Sequence, residues 1–216
     1  GKKCANLGVM GQMGLPIPPG FAISIDLYIR FVQETGAIEE ISSYVRSLGE
    51  LKGQGIKVFE NVSRTIQEMI EGKEMRQGLK EEISSYYFEL CKKVGIVDVP
   101  VAVRSAGTES RPGMFETYLN VKGTNEVLEK VKKVWASAFT ARAIAFRVNK
   151  DLPVIGDELG VVVLKMVNAC SAGISFTVDP ITGDASKVVI EANWGLGEGV
   201  VSGAENVDRF VVNKES

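Results

Sequence analysis

Arg104 closes an apolar run, VPVAV (residues 99–103), that has the composition of a sheet interior, and the next β-prone run, TYLNV, begins only at Thr117. A tight hairpin needs about two to five loop residues. The stretch between these runs, RSAGTESRPGMFE, spends far more and fills them with Gly, Ser and Thr. Those types suit an oxyanion. Arg104 supplies a permanent charge in a two-pronged fork. Gly107 and Gly113 let backbone N–H groups curve onto phosphate oxygens, and Ser105, Thr108, Ser110 and Thr117 add hydroxyls. The same residues also fit an exposed loop on which Arg104 pairs with Glu109 or Glu116, and by themselves they leave both readings open.

Two later stretches carry weaker chemistry. KVVIEANWGLGEGVVSG (187–203) sets glycines after a strand, as dinucleotide sites do, but the third glycine of G-x-G-x-x-G falls on Val200 or Ser202. No G-x-x-x-x-G-K-[ST] occurs either, so Rossmann and P-loop folds are poor fits. Glu191 and Glu198 have the chemistry to bind a ribose or a metal ion, and equally that of solvent-facing carboxylates. Lys165 interrupts GVVVLKMV (160–167). A strand-end lysine beside Met166 can flank an adenine ring, although a lysine snorkelling from an edge strand is the simpler reading of the residues alone.

The chain has no histidine. An imidazole base or a Ser-His-Asp triad within it is therefore excluded, and zinc is a poor fit. Cys4, Cys91 and Cys170 lack ligand-like spacing and read as reduced thiols of an intracellular protein. With 216 residues, 45% hydrophobic, 24% charged and a net charge of −2, the chain suits a sizeable core and offers no general attraction for nucleic acid or anionic membrane. No apolar stretch reaches the roughly 20 residues of a membrane span, and no secretory h-region opens the sequence. The start on Gly1 and the end at NKES suggest a piece of a longer polypeptide.

The elements that must position these residues divide into two expected parts, a helix-rich 1–98 and a sheet-rich 99–216. LPIPPG (15–20) forces an extended connection into a short strand over Phe21–Ile23. Ser24 is placed to cap a helix with Asp26 in its first turn, ending near Gly36. Val58, Val62, Ile66, Met69 and Ile70 recur at helical spacing, as do Met75, Leu79, Ile83, Tyr87, Leu90 and Val94. Gly72 and Gly95 fit C′ positions, and GELKGQG (49–55) reads as a loop. Val127, Val131, Val134, Ala138, Ala141, Ala145 and Val148 predict one long helix over about 125–149, capped at Thr124 or Asn125. The runs 160–167, 173–178, 187–192 and 209–212 predict strands, punctuated by DPITGD and NWGLGEG. The pattern predicts an α+β fold: helices first, then a mixed, mainly antiparallel sheet with the long helix against it.

In sequence order, GKKCANL with LPIPPGFAIS, VAVRSAGTESRPGMFETYLNV, VWASAFTARAIAFR, VLKMVNACSAGISFTVDPITGD and IEANWGLGEGVVSG resemble the signatures of phosphoenolpyruvate synthases and pyruvate phosphate dikinases. The resemblance covers nearly the whole chain except about 37–97. It implies the family's ATP-binding domain on an ATP-grasp fold, which passes a phosphoryl group to a histidine on a separate domain and from there to pyruvate. The phosphohistidine domain and the acceptor-binding domain would lie in the same polypeptide or a partner subunit, in the cytoplasm. Lys3 matches the phosphate-binding lysine and Arg104 the phosphate-contacting arginine, the two catalytic candidates. Gly113, Met114 and Thr117 match the loop covering the triphosphate, and Lys165, Met166 and Val167 the strand bordering adenine. Glu198 is counted with the ATP-binding residues. Lys2 and Cys4 depart from glycines common in the signature, and Leu164 from a common Gln. The family's later segment, with its acidic Mg²⁺ ligands, has no counterpart, so the metal ligands are expected outside this chain and the chain alone is expected to bind nucleotide weakly and turn nothing over. Alternative acceptors in related systems are phenol, as in phenylphosphate synthases, glucans and rifamycins. A non-catalytic nucleotide-binding module is a further alternative.

Overall fold

The computed structural model describes residues 2–107, 116–156, 158–203 and 206–215. The chain forms two compact units, 1–166 and 167–216.

The first unit pairs an all-antiparallel sheet with a helical layer. Its strands are β1 (Gly20–Ile23), β2 (Val101–Ala106), β3 (Thr117–Val121) and β4 (Gly160–Lys165), in the order β1-β4-β2-β3. Val101, Val103, Val161 and Val163 alternate onto one face and are fully buried. That face carries the helices, because β-branched side chains in a period of two offer a continuous apolar surface to a helical stripe. Between Val101 and Val103 the β2–β3 ladder slips, three residues of β3 spanning two of β2. Asn120 takes up the excess in the left-handed region (φ 57°), a conformation asparagine tolerates better than most residues.

Helices α2 (Ile25–Glu34), α3 (Ala37–Ser47), α4 (Ile56–Gly72) and α5 (Gln77–Val94) follow from 3.6-residue periodicity. Phe59, Val62, Ile66 and Ile70 face inward from α4, and Leu79, Ile83, Tyr87 and Leu90 from α5. Gly95 ends α5 in the left-handed conformation (φ 73°), its N–H reaching the carbonyls of Cys91 and Lys92, as its sequence position predicts. Gly72 does not play that part. It is the last residue of α4, and the chain leaves through an extended Lys73. Ser24 occupies the N-cap position of α2 with its backbone, but its hydroxyl makes no cap bond.

The long helix expected over 125–149 is broken. Instead α6 (Thr124–Ala136) ends in a 3₁₀ turn, Ser137–Phe139, and α7 (Ala141–Asn149) starts afresh. Hydroxyls drive the break. Ser137 Oγ donates back to the Val134 carbonyl at 2.6 Å, while an extended Thr140 accepts the Ala143 N–H on its Oγ1 at 3.3 Å. Both bonds compete with the helical ladder, and the second caps a new helix. The inward face consequently shifts from Val127, Val131 and Val134 to Ala143, Ile144 and Arg147. Buried Arg147 donates from Nε to the Pro153 carbonyl at 2.6 Å, and a Cβ on Gly156 would lie 2.3 Å from its Nη2. The turn feeding β4 is thus wrapped around a guanidinium.

The second unit carries β5 (Ser171–Phe176), β6 (Lys187–Trp194), β7 (Asp208–Asn213) and a short α8 (Glu198–Ser202). Its sheet is antiparallel in the order β5-β6-β7. Asp179 accepts the N–H groups of Ile181 and Thr182, and Lys214 donates to the carbonyls of Thr177 and Ala185, so the 177–186 turn is tied to the end of β7. Across both units the class is α+β, with two antiparallel sheets among the described residues. No described helix is long and apolar enough to cross a membrane.

One hydroxyl joins three elements of the first unit. Tyr87 donates to the Val99 carbonyl at 3.0 Å and accepts the Gly123 N–H at 2.9 Å, linking α5 to the approach of β2 and the head of α6. Tyr87→Phe leaves both backbone groups unpaired and is expected to cost about 1–3 kcal/mol, read as a lower urea midpoint at unchanged slope. Burial also pushes this phenol from 10.0 up to about 12. In that interval the fold holds a proton that the unfolded chain has lost, so stability falls as pH rises, and the fall is expected to be shallower in Tyr87→Phe.

Candidate functional site

The sheet has a second face, opposite the helices. Register places Ala22, Val162, Arg104 and Thr117 in one row across β1, β4, β2 and β3. Side chains in such a row share a face, and directly paired neighbours lie about 4.5–5.5 Å apart at Cβ. Arg104 therefore stands beside Thr117 at the mouth of the hairpin, on the side away from the main core. Helix α1 (Lys2–Gln12) packs against β2.

Lys3, in the first turn of α1, donates from Nζ to the Ser105 carbonyl at 3.3 Å. Residues 102 positions apart in sequence meet there. Burial lowers the lysine's pKa below its ordinary 10.5, and the nearby Arg104 guanidinium lowers it further. Among the described residues the buried Arg104 Nε finds no hydrogen-bond partner. No acidic residue occupies the first turn of α1, where the helix presents the positive end of its dipole. A lysine, an arginine strand and a helix N-terminus thus come together, and among the described residues no carboxylate is named with the charges that perturb Lys3. Such a grouping has the chemistry to suit a multiply charged oxyanion.

Beside the cations a cleft of about 220 Å³ opens among Cys4, Leu7, Ile17, Val162 and Leu164. It follows from α1 lying over the Ala22–Val162 side of the sheet. The sequence concealed this wall, because GVVVL is apolar at every position and does not show which valines face the cleft.

The other candidate residues are placed as follows. Thr117 joins Arg104 directly, whereas Gly113 and Met114 lie outside the described residues. Lys165 pairs with Val101 and so points to the helix-bearing face, three residues or about 10 Å along β4 from the position opposite Arg104. Its N–H bonds the Pro19 carbonyl and that of Met166 bonds the Pro100 carbonyl, both at 2.8 Å. These two donors are committed to the fold; the Met166 carbonyl accepts from Lys165 Nζ at 3.5 Å. Val167 opens the second unit, in which Glu198 is exposed in the first turn of α8 and Glu191 pairs with Arg209 at 3.8 Å.

A family model described as pyruvate phosphate dikinase, AMP/ATP-binding domain, matches residues 1–216. The chain belongs to this family. Among its relatives are a probable phosphoenolpyruvate synthase of Staphylothermus marinus, 42% identical, and one of Methanocaldococcus jannaschii, 41% identical, each matched over 100% of this chain. The phosphoenolpyruvate synthase of Aeropyrum pernix is 42% identical over 99% of it. The chain covers 26%, 18% and 27% of these three relatives, about a quarter of their length.

Juxtaposed cations should destabilise the ligand-free domain. Lys3→Met is expected to raise its thermal midpoint at low salt while shrinking the further rise produced by pyrophosphate. The pH dependence has a definite sign. Between the lowered native pKa and 10.5 the unfolded chain binds the extra proton, so stability climbs with pH, and Lys3→Met should remove that climb.

Proposed function

We propose that residues 1–216 are the ATP-binding portion of a dikinase-type phosphotransferase with an ATP-grasp nucleotide site. In this reading Lys3 and Arg104 grip the polyphosphate of ATP, with Thr117 beside them and Gly113 and Met114 in the covering loop. Lys165, Met166, Val167 and Glu198 belong to the adenosine side of the site. The phosphoryl group passes to a histidine carried by another domain, then to pyruvate, in the cytoplasm. The observation that carries this reading is the meeting of Lys3 with the Arg104 strand in a chain whose family is an AMP/ATP-binding one.

The chemistry asked of these residues is modest. Phosphoryl transfer is positioning together with neutralisation of charge spreading over the transferred group. Arg104 offers two parallel donors to non-bridging oxygens, and Lys3 a point charge that follows the phosphate as it shifts. The Lys3 ammonium, disfavoured in the free site, regains its charged form when an anion arrives. Anion binding is thereby coupled to proton uptake at alkaline pH.

In this reading magnesium, which the family resemblance implies, takes its protein ligands from outside this chain, and the phosphoaccepting imidazole also comes from elsewhere, since the sequence holds no histidine.

Titration calorimetry with Mg-ATP tests the proposal. Arg104→Ala should weaken binding about ten- to a hundredfold, the loss expected for hydrogen bonds to a charged group. Arg104→Lys, keeping charge but losing the fork, should fall between the two. Equal affinities for all three chains would remove Arg104 from the site.

A further inference from the structure

A lysine bonded to the Arg104 strand and within reach of that guanidinium's charge is also an amine nucleophile with a candidate phosphate handle nearby. We propose that Lys3 is a self-acylation site for acyl phosphates, the small carboxylic–phosphoric mixed anhydrides, with Arg104 holding the phosphate while the Lys3 amine attacks the acyl carbon. The inference rests on the Lys3–Arg104 pair holding a phosphate group, and not on ATP being the natural ligand.

Four observations converge on it. The amine reaches the Ser105 carbonyl, beside the strand position that bears Arg104, so nucleophile and phosphate-binding fork share one corner. Burial and the neighbouring positive charge favour the neutral, nucleophilic form of the amine. Among the described residues the buried Arg104 Nε has no hydrogen-bond partner, a donor that a bound oxyanion would satisfy. The adjoining apolar cleft, lined by Cys4, Leu7 and Val162 on the same side of the sheet, gives a short acyl chain somewhere to lie.

The reaction balances without another reagent. The neutral amine adds to the carbonyl carbon, the carbon–oxygen bond to phosphate breaks, and an amide forms. The departing phosphate takes one amine proton and leaves as hydrogen phosphate. The product is uncharged at Lys3, so one of the two cations of the anion site is gone. Acylation would therefore shut the site whenever acyl phosphates accumulate, and a bound nucleotide would protect it.

The test incubates the chain with acetyl phosphate and follows acetylation of each lysine by mass spectrometry, with exposed Lys57 and Lys93 as internal standards. Lys3 should react at least about tenfold faster than either, a small part of what orientation of two reactants can supply. Pyrophosphate should suppress this excess without touching Lys57 or Lys93. Arg104→Gln should bring Lys3 down to the rate of the standards, and circular dichroism reports whether that variant is folded. If it is not, pyrophosphate competition on the unmodified chain decides alone. An acetyl ester without phosphate, N-acetoxysuccinimide, should prefer Lys3 less strongly than acetyl phosphate does, because Arg104 then acts only through the pKa of the amine. Lys3 reacting no faster than Lys93 with acetyl phosphate, or an equal preference with the phosphate-free ester, overturns the proposal. Calorimetry with ATP on the same unmodified samples separates the two readings, because ATP can fail to bind while Lys3 still acetylates selectively.

Discussion

Two cations set against each other are unfavourable until an anion joins them, and that constraint organises the candidate site. Lys3 arrives on the first turn of α1 and Arg104 on a sheet strand, so the backbone origins of both side chains are fixed by regular elements. The residues flanking Arg104 show why. Val101, Val103 and Ser105 of β2 are buried on the opposite face, and β2 is hydrogen-bonded on both sides, to β3 and β4. Rotating Arg104 out of the corner by twisting β2 would expose three buried residues and break two ladders. The repulsion is held in place by packing that has nothing to do with the ligand. A site preorganised in this way does not spend binding energy on gathering its charges.

β4 serves both purposes. Val161 and Val163 anchor the sheet to the helices, while Val162 and Leu164 line the cleft beside the cations. One strand thus couples core stability to the shape of the site, through a period of two that nothing in its composition advertises. Arg147 supports it from the preceding turn, where its guanidinium lies against Gly156. A side chain larger than hydrogen at that glycine would meet the guanidinium and disturb the entry to β4.

Much of this architecture was legible in the sequence. The stripes through α4 and α5, the left-handed Gly95 and the four β-prone runs after residue 159 all lie where periodicity and turn chemistry put them. Arg104, read from the sequence as the end of its strand, instead lies inside β2, which runs on through Ser105 and Ala106 against β4. Other features were hidden for definable reasons. Helix α3, with Ile41 buried and Glu39 and Glu40 in its first turn, escaped notice between two better marked segments. The stripe from Val127 to Val148 runs unbroken through the Ser137–Thr140 turn, so apolar spacing alone predicted one helix. The break is written in two hydroxyls, whose effect depends on whether they bond backwards to a carbonyl or forwards to an amide. The meeting of Lys3 with the Arg104 strand is a tertiary fact, and only the family resemblance had linked those residues beforehand.

The described residues hold a second buried donor without a partner, the Trp135 Nε1, and the contrast with Arg104 is instructive. Trp135 is fully buried on the helix side of the sheet, 5.0 Å from Phe31 and 5.9 Å from Tyr28 between ring centroids. Its unpaired N–H is a neutral donor left over when a large ring fills an aromatic nest, a cost of about 1–3 kcal/mol set against the burial of its whole surface. The unpaired nitrogen of Arg104 has the opposite setting: a permanent charge, a second cation close by, a helix N-terminus and a cleft. An unsatisfied donor alone does not mark a site. What distinguishes Arg104 is that its described neighbours Lys3 and the first turn of α1 raise the cost of leaving it without an anion, and a single polyanion would relieve both together.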